Sequence, residues 1–378
     1  MYQAFQLRRR CQAVAMAVGA LGVAHAAVAA PDFDPRQAGS DAAALVEELS
    51  GQGIPRDFLV DTLSRASASQ EVLDAMSGAA EYHMEWPEYR AIFMTDRRVE
   101  EGAAFMREHR EALEKARAEY GVAPAVITAI IGVETYYGRH KGEHRVLDSL
   151  ATLAFRHPQR GDFFRGELAA FLRLAFEQDV DPETLRGSYA GAMGYPQFIP
   201  TSYDAYAVDF DDDGKRDLWH NPVDAIGSVA HYFAEHDWRA GDAVYQLADG
   251  PKTPPEGIEL NQTSRPSVTL GEAKKAGITP VENRSEALFQ GPLFHVPLAQ
   301  GSLSQGAFAQ DPERWVVPLR LAMEEGAPQY RLGGFNFYVI TRYNHSHLYA
   351  MAVAELAEAI ADAAAHDRAS PDQDEELE

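Results

Sequence analysis

The chain has 378 residues, 46% of them hydrophobic and 24% charged, which is enough for a large core and for more than one domain. A formal net charge of −23 argues against nucleic-acid binding and against adhesion to anionic lipid. It suits a cation ligand or a neutral substrate such as a glycan.

At the start, Arg8, Arg9 and Arg10 precede an apolar run over 13–23 and two small-x-small patterns, Ala24-His25-Ala26 and Ala27-Val28-Ala29. Residues 1–29 read as a secretory signal peptide, too short to span a bilayer comfortably. The single cysteine, Cys11, lies ahead of the apolar run, poorly placed to be the lipidated first residue of a lipoprotein. A mature chain without cysteine has no disulfide or thiol chemistry. The expectation is a soluble periplasmic protein with no membrane anchor.

Residues 31–40 read as a linker, and 41–49, 55–66 and 70–80 as amphipathic helices. Trp86 and Tyr89 follow, most simply as packing residues. Thr95 is placed to cap a long helix through 119, with Val99, Ala103, Met106 and Leu113 on one side. Together, 30–120 form an N-terminal helical domain.

In the next helix Ile127, Ile130, Ile131 and Glu134 stand at i, i+3, i+4 and i+7 and share one face. Pro124 suits its first turn and Gly138 is placed to end it. Glu134 therefore points to the core or a cleft floor near the helix C-terminus. Desolvation and the dipole both disfavour its charged form there. A carboxyl kept protonated can act as a general acid; a buried Glu paired with an arginine has the same pattern. Helices over 148–155 and 163–177 follow. Residues 187–203 combine chain breakers (Gly187, Gly191, Gly194, Pro196, Pro200) with neutral hydrogen-bonding groups, among them Ser188, Tyr189 and Gln197. Such a segment suits a sugar groove or an ordinary structural loop.

Asp209, Asp211, Asp213 and Asp217 occupy positions 1, 3, 5 and 9 of an EF-hand-like loop, with Gly214 at 6 and a backbone carbonyl, that of Lys215, at 7. Position 12 is His220 in place of the usual Glu. Asp224 lies four residues on, where it supplies the missing oxygen or simply favours the dipole of a helix capped by Asn221. Residues 225–236 read as that helix, with Tyr232 on it, and 121–240 as a core domain. Between 241 and 337 helical periodicity fades and β-rich runs appear at 267–270, 315–319 and 335–340, a small β-domain. Residues 338–366 return to the core as helix, and 367–378 form an acidic, disordered tail.

Four stretches in order, Gly132-Val-Glu134-Thr-Tyr-Tyr-Gly138, Gly191-Ala-Met-Gly-Tyr-Pro-Gln-Phe-Ile-Pro200, the calcium-like loop and Thr341-Arg-Tyr-Asn344, carry a resemblance. Over about residues 35–365 the chain resembles the lytic murein transglycosylase B family, the family 3 lytic transglycosylases. The resemblance implies an α+β, mainly helical fold: a lysozyme-like helical core domain, an N-terminal helical domain and a small inserted β-domain. It implies cleavage of the MurNAc–GlcNAc β-1,4 bond of peptidoglycan to 1,6-anhydromuramic ends, with Glu134 as acid and then base. It also implies Ser188, Tyr189, Gln197, Tyr343, Asn344, Tyr349, Tyr89 and Tyr232 as substrate-binding residues. One structural Ca2+ is implied on Asp209, Asp211, Asp213, Lys215 and Asp224. Glycan strands are the expected partner, with cell-wall synthesis proteins as candidates. Asp211 stands where relatives often have a smaller polar residue. An extra residue before Asp224 leaves its ligand role open, and 301–311 is longer than usual.

Most glycosidases use two carboxylates, but one suffices when the substrate's own acetamido and 6-hydroxyl groups assist. A muramidase-type hydrolase and a non-catalytic wall-binding module are the alternatives.

Overall fold

The computed structural model describes residues 32–78, 84–281 and 311–369, in which there are 14 α-helices and seven strands. The signal segment, the 301–310 stretch and the tail beyond 369 lie outside the described residues. Three short helices open the fold, Asp41–Gly51, Arg56–Ser64 and Gln70–Gly78. Ser40 caps the first by accepting the Ala43 N–H, and Leu45, Val46 and Leu49 are buried. Trp86 and Tyr89 lie on a helix of their own, Trp86–Phe93, and both are buried.

Thr95 caps the next helix as expected, accepting the Arg98 N–H, but the single helix expected over 95–119 is two: Asp96–Glu108 and Arg110–Tyr120. His109 leaves helical geometry at φ −105°, ψ 27°, its ring 4.3 Å from that of Phe105. The two halves have different partners. Asp96–Glu108 packs on Pro124–Thr135 and His347–Ala369, and Arg110–Tyr120 chiefly on Pro222–Glu235. Tertiary packing overrides a continuous local propensity.

Pro124–Thr135 is the axis of the molecule. Ten of its residues are buried, so it is apolar all round, as a helix enclosed by others must be. Arg110–Tyr120, Pro222–Glu235, Asp96–Glu108 and His347–Ala369 surround it. Val146–Arg156 and Gly161–Glu177 pack together. Residues His144–Arg145 and Arg186–Gly187 form a two-stranded antiparallel pair with His144 opposite Gly187.

After Pro222–Glu235 the chain builds a five-stranded antiparallel sheet in the order Val268–Thr269, Trp315–Leu321, Gln329–Gly333, Tyr245–Asp249, Thr279–Pro280. A second small core lies under it, with Leu270, Ile278, Val316, Tyr330 and Leu332. The run at 267–270 is strand only over two residues. Thr269 and Glu272 then form a capping box that starts the Leu270–Lys275 helix.

The run at 335–340, expected as a strand, is instead the helix Phe335–Tyr343. Phe335, Phe337 and Val339 alternate as in a strand, yet Asn336, Ile340 and Thr341 are buried as well. With six of the helix's nine residues buried and only Tyr338, Arg342 and Tyr343 partly exposed, the period on which the distinction rests is faint. The last helix, His347–Ala369, returns to the core. No single described helix is long and apolar enough to cross a membrane.

Candidate active site

Glu134 sits one residue before the end of the Pro124–Thr135 helix. Protein encloses its side chain, which still keeps an opening to solvent. Burial raises its proton affinity above that of an ordinary carboxylate, partly offset by a hydrogen bond from Tyr349. The Tyr349 hydroxyl donates to Oε1 at 2.6 Å, and Tyr349 is 1% exposed. Burial and the carboxylate together hold the phenol of Tyr349 well above its usual value, so it stays a donor. No arginine pairs with Glu134 among the described residues, and no second described carboxylate acts on it electrostatically.

Other tyrosines extend from this pair. Tyr343 stacks on Tyr349 at 6.5 Å with planes 9° apart and donates its hydroxyl to the Pro196 carbonyl at 2.6 Å. Tyr232 meets Tyr343 edge-on at 4.8 Å. Tyr89 lies close enough for Glu134 to help hold its phenol neutral, after burial as the larger cause. Asn344 follows the Phe335–Tyr343 helix in extended backbone, partly exposed.

The helix ends early. Tyr136 already has φ 53°, Tyr137 follows at 57°, and Gly138 at 85° is the third left-handed residue in succession. Among these only Gly138 was an expected terminator. Tyrosine has no preference for this region, so nothing in the sequence marks the turn. The Thr135 hydroxyl seals it, reaching the Ile131 and Tyr195 carbonyls at 3.1 Å and accepting the Gly138 N–H at 3.0 Å.

Through Tyr195 the segment 187–203 is fastened beside Glu134. Ser188, buried, accepts the N–H groups of Ala190 (3.3 Å) and Ala192 (2.9 Å), which leaves its own hydrogen to donate. Gln197 takes φ 53° and donates Nε2 to the carbonyls of Gly194 and Lys141. Tyr189 is partly exposed. Ser188, Tyr189 and Gln197 thus share one loop, joined to the acid through Thr135 and Pro196 rather than touching it. Lys141 was not anticipated. It donates to the Trp219 carbonyl at 2.7 Å and lies 4.3 Å over the Tyr195 ring.

On the far side of that loop, Asp209, Asp211 and Asp213 each offer a carboxylate oxygen, all within 4.8 Å of one another. Gly214 turns the loop at φ 90°, and its N–H bonds Asp209 at 2.7 Å. An all-oxygen donor set with three negative charges this close fits a hard divalent cation. Lys215 follows, its N–H on Asp213 at 2.8 Å. Asp224 is fully buried, and its two oxygens accept the N–H groups of Phe210 and Asp217, each at 2.8 Å. It anchors both ends of the loop.

The transglycosylase SLT domain matches residues 37–358. The membrane-bound lytic murein transglycosylase B of Escherichia coli (strain K12) is 41% identical over 322 residues, 83% of this chain and 80% of that protein. The crystal structure of the soluble lytic transglycosylase SltB1 from Pseudomonas aeruginosa superimposes with a TM-score of 0.74. It is 40% identical and covers 87% of this chain and 99% of its own. The Escherichia coli lytic transglycosylase Slt35 in complex with calcium gives 0.71 at 39% identity, over 85% and 92% of the two chains. With its lysozyme-like helical core, the chain belongs to the transglycosylase SLT domain family, among the lytic murein transglycosylases of type B.

Proposed function

We propose that this protein is a lytic transglycosylase that cleaves the MurNAc–GlcNAc β-1,4 bond of peptidoglycan without water and leaves 1,6-anhydromuramic ends. The observation that carries the reading is the isolation of Glu134: one carboxyl, raised in proton affinity, bonded by a neutral tyrosine and open to solvent on one side. With Tyr349 on Oε1, Oε2 is the oxygen that carries the proton to the leaving sugar oxygen. With no second carboxylate acting at this site among the described residues, the acetamido group of the substrate assists departure. The deprotonated Glu134 then takes the proton of the 6-hydroxyl as that oxygen closes on the anomeric carbon. Tyr343 and Tyr189, both partly exposed, offer ring faces to sugars, while Tyr232 and Tyr89 are buried and support the site by packing. Ser188, Gln197 and Asn344 offer polar groups to the acetamido and hydroxyl positions.

Asp209, Asp211, Asp213 and the Lys215 carbonyl would hold Ca2+, which neutralises the loop and has no part in the chemistry. Asp224 supports this site from beneath. The protein acts on glycan strands in the periplasm.

The test is a digest of purified sacculi with wild-type protein and Glu134→Gln, read by mass spectrometry of the released muropeptides. Ends lighter by one water than reducing ends are expected, with the rate of the variant down by about 10²–10⁴. Reducing ends from the wild type would instead make it a muramidase. Undiminished release by the variant would remove Glu134 from the chemistry.

A further inference from the structure

Two bulky residues after Glu134 hold left-handed backbone, at a cost of about 1–2 kcal/mol each. Such strain persists only where neighbours over-determine it, and here the neighbours are specific. The Tyr137 ring folds back over its own helix at Gly132, where a methyl would lie 2.7 Å from ring carbon Cε1. The same ring reaches across to Asp96–Glu108 at Gly102. A methyl there would lie 2.5 Å from the Tyr137 hydroxyl oxygen and 2.7 Å from the side chain of Ile360 on His347–Ala369. The hydroxyl donates to the Arg98 carbonyl, one turn before Gly102, at 2.7 Å. Burial keeps that phenol protonated, so it donates throughout the neutral range. Arg98 also holds the other strained residue, its guanidinium 4.6 Å over the Tyr136 ring.

One ring therefore stands where three helices meet. One of them carries Glu134, another carries Tyr349, and the third, Asp96–Glu108, touches both. We propose that Tyr137 is a positioning residue for the reaction. Wedged between Gly102 and Gly132 and bonded to Arg98, it fixes the helix end that bears Glu134 against the helix that bears Tyr349. The inference rests on Glu134 being the acid. Tyr137 itself lies behind the helix end and touches no substrate.

Loss of the wedge loosens the enclosure of Glu134. The titratable groups facing that carboxyl are Tyr349, Tyr343 and Tyr89, from three different helices, all held neutral. None of them replaces the lost desolvation, so the carboxyl moves toward its ordinary range.

The experiment compares wild type, Tyr137→Leu, Tyr137→Phe and Glu134→Gln in peptidoglycan solubilisation, with kcat and KM measured across pH and melting followed in parallel. For Tyr137→Leu, kcat is expected to fall by about tenfold or more with KM little changed, the scale of an ångström-sized misplacement. Its alkaline limb should move to lower pH by about half a unit or more. Tyr137→Phe keeps the ring and loses only the Arg98 bond, so it should recover most of the rate. Should Tyr137→Leu fail to fold, Gly102→Ala, which crowds the hydroxyl without removing it, is read the same way. A folded Tyr137→Leu with unchanged kcat and an unmoved limb overturns the positioning role. If Glu134→Gln also remains active, the acid assignment has failed first, and the two failures are distinguishable.

Discussion

At Glu134, the proposed acid, the demands of catalysis and of stability oppose each other. Its proton affinity is raised in the native state by burial. Between the ordinary carboxylate value and the raised one, the folded protein holds a proton that the unfolded chain has released. Stability therefore falls as pH rises through that window. Glu134→Gln removes the effect. The variant should melt with wild type in acid and above it at neutral and alkaline pH, by about 1 kcal/mol or roughly 1–2 °C in a chain of this length. Melting curves of both proteins across pH check this, and a variant less stable at pH 8 would contradict it. Tyr349 works in the other direction, since its bond stabilises the charged form. Tyr349→Phe should raise the affinity further and move the alkaline limb of the rate profile to higher pH, opposite in sign to the loss of Tyr137. A limb that stays in place would show that the hydroxyl carries no electrostatic weight. The carboxyl was legible in the sequence because three isoleucines share its helical face. Tyr349, 215 residues away, had to come from resemblance, because no local period reports a contact between distant helices.

Among the elements, those with one dominant period were legible and those enclosed on all sides were not. The capped helices at Ser40, Thr95 and Asn221 carry their signals in the chain. Phe335–Tyr343, buried over most of its surface, mimics a strand, and the break at His109 exists because two halves of one helical pattern serve different neighbours. Residues 187–199 were recognisable as a loop from their glycines and Pro196, whereas Pro200, read as a breaker, opens the helix Pro200–Tyr206, and the loop's attachment was not legible. Gly138 shows how tight that attachment is. At φ 85°, a methyl on it would lie 2.0 Å from Cε1 of Tyr195, the residue whose carbonyl binds Thr135. Gly138→Ala must therefore either push Tyr195 out or unwind the turn. The expected loss is about 2–4 kcal/mol, from left-handed strain plus overpacking. Urea unfolding measures it, and activity should fall further than stability alone explains because the loop moves with Tyr195. A midpoint equal to wild type would mean that the turn has room.

For the whole molecule, the acidic loop is the point from which distant parts are held together. Its spacing was legible, since three carboxylates at alternate positions with Gly214 at the turn leave few other readings. The buried role of Asp224 was not, because a helix-start acid and a metal ligand look alike in sequence. Beyond Asp217 the loop runs on to meet the 187–199 segment. The Leu218 carbonyl accepts the Tyr195 N–H at 2.8 Å, and the Trp219 carbonyl accepts Lys141. The Trp219 indole donates to the Arg186 carbonyl at 3.3 Å. An ion neutralising Asp209, Asp211 and Asp213 would thus tighten the base on which the 187–199 loop rests. Binding to the folded state alone adds about 2.7 kcal/mol when free calcium is a hundred times its dissociation constant. Chelation should lower the melting temperature and then slow peptidoglycan release at temperatures where the protein is still folded. Asp209→Ala should abolish the calcium-dependent part of both effects, and magnesium, which holds its waters more tightly, should restore little. Melting curves with and without chelator, on wild type and Asp209→Ala, decide the matter. Identical curves for the wild type would leave the loop as a solvated acidic turn, and a melting shift without any change in rate would confine the ion to stability.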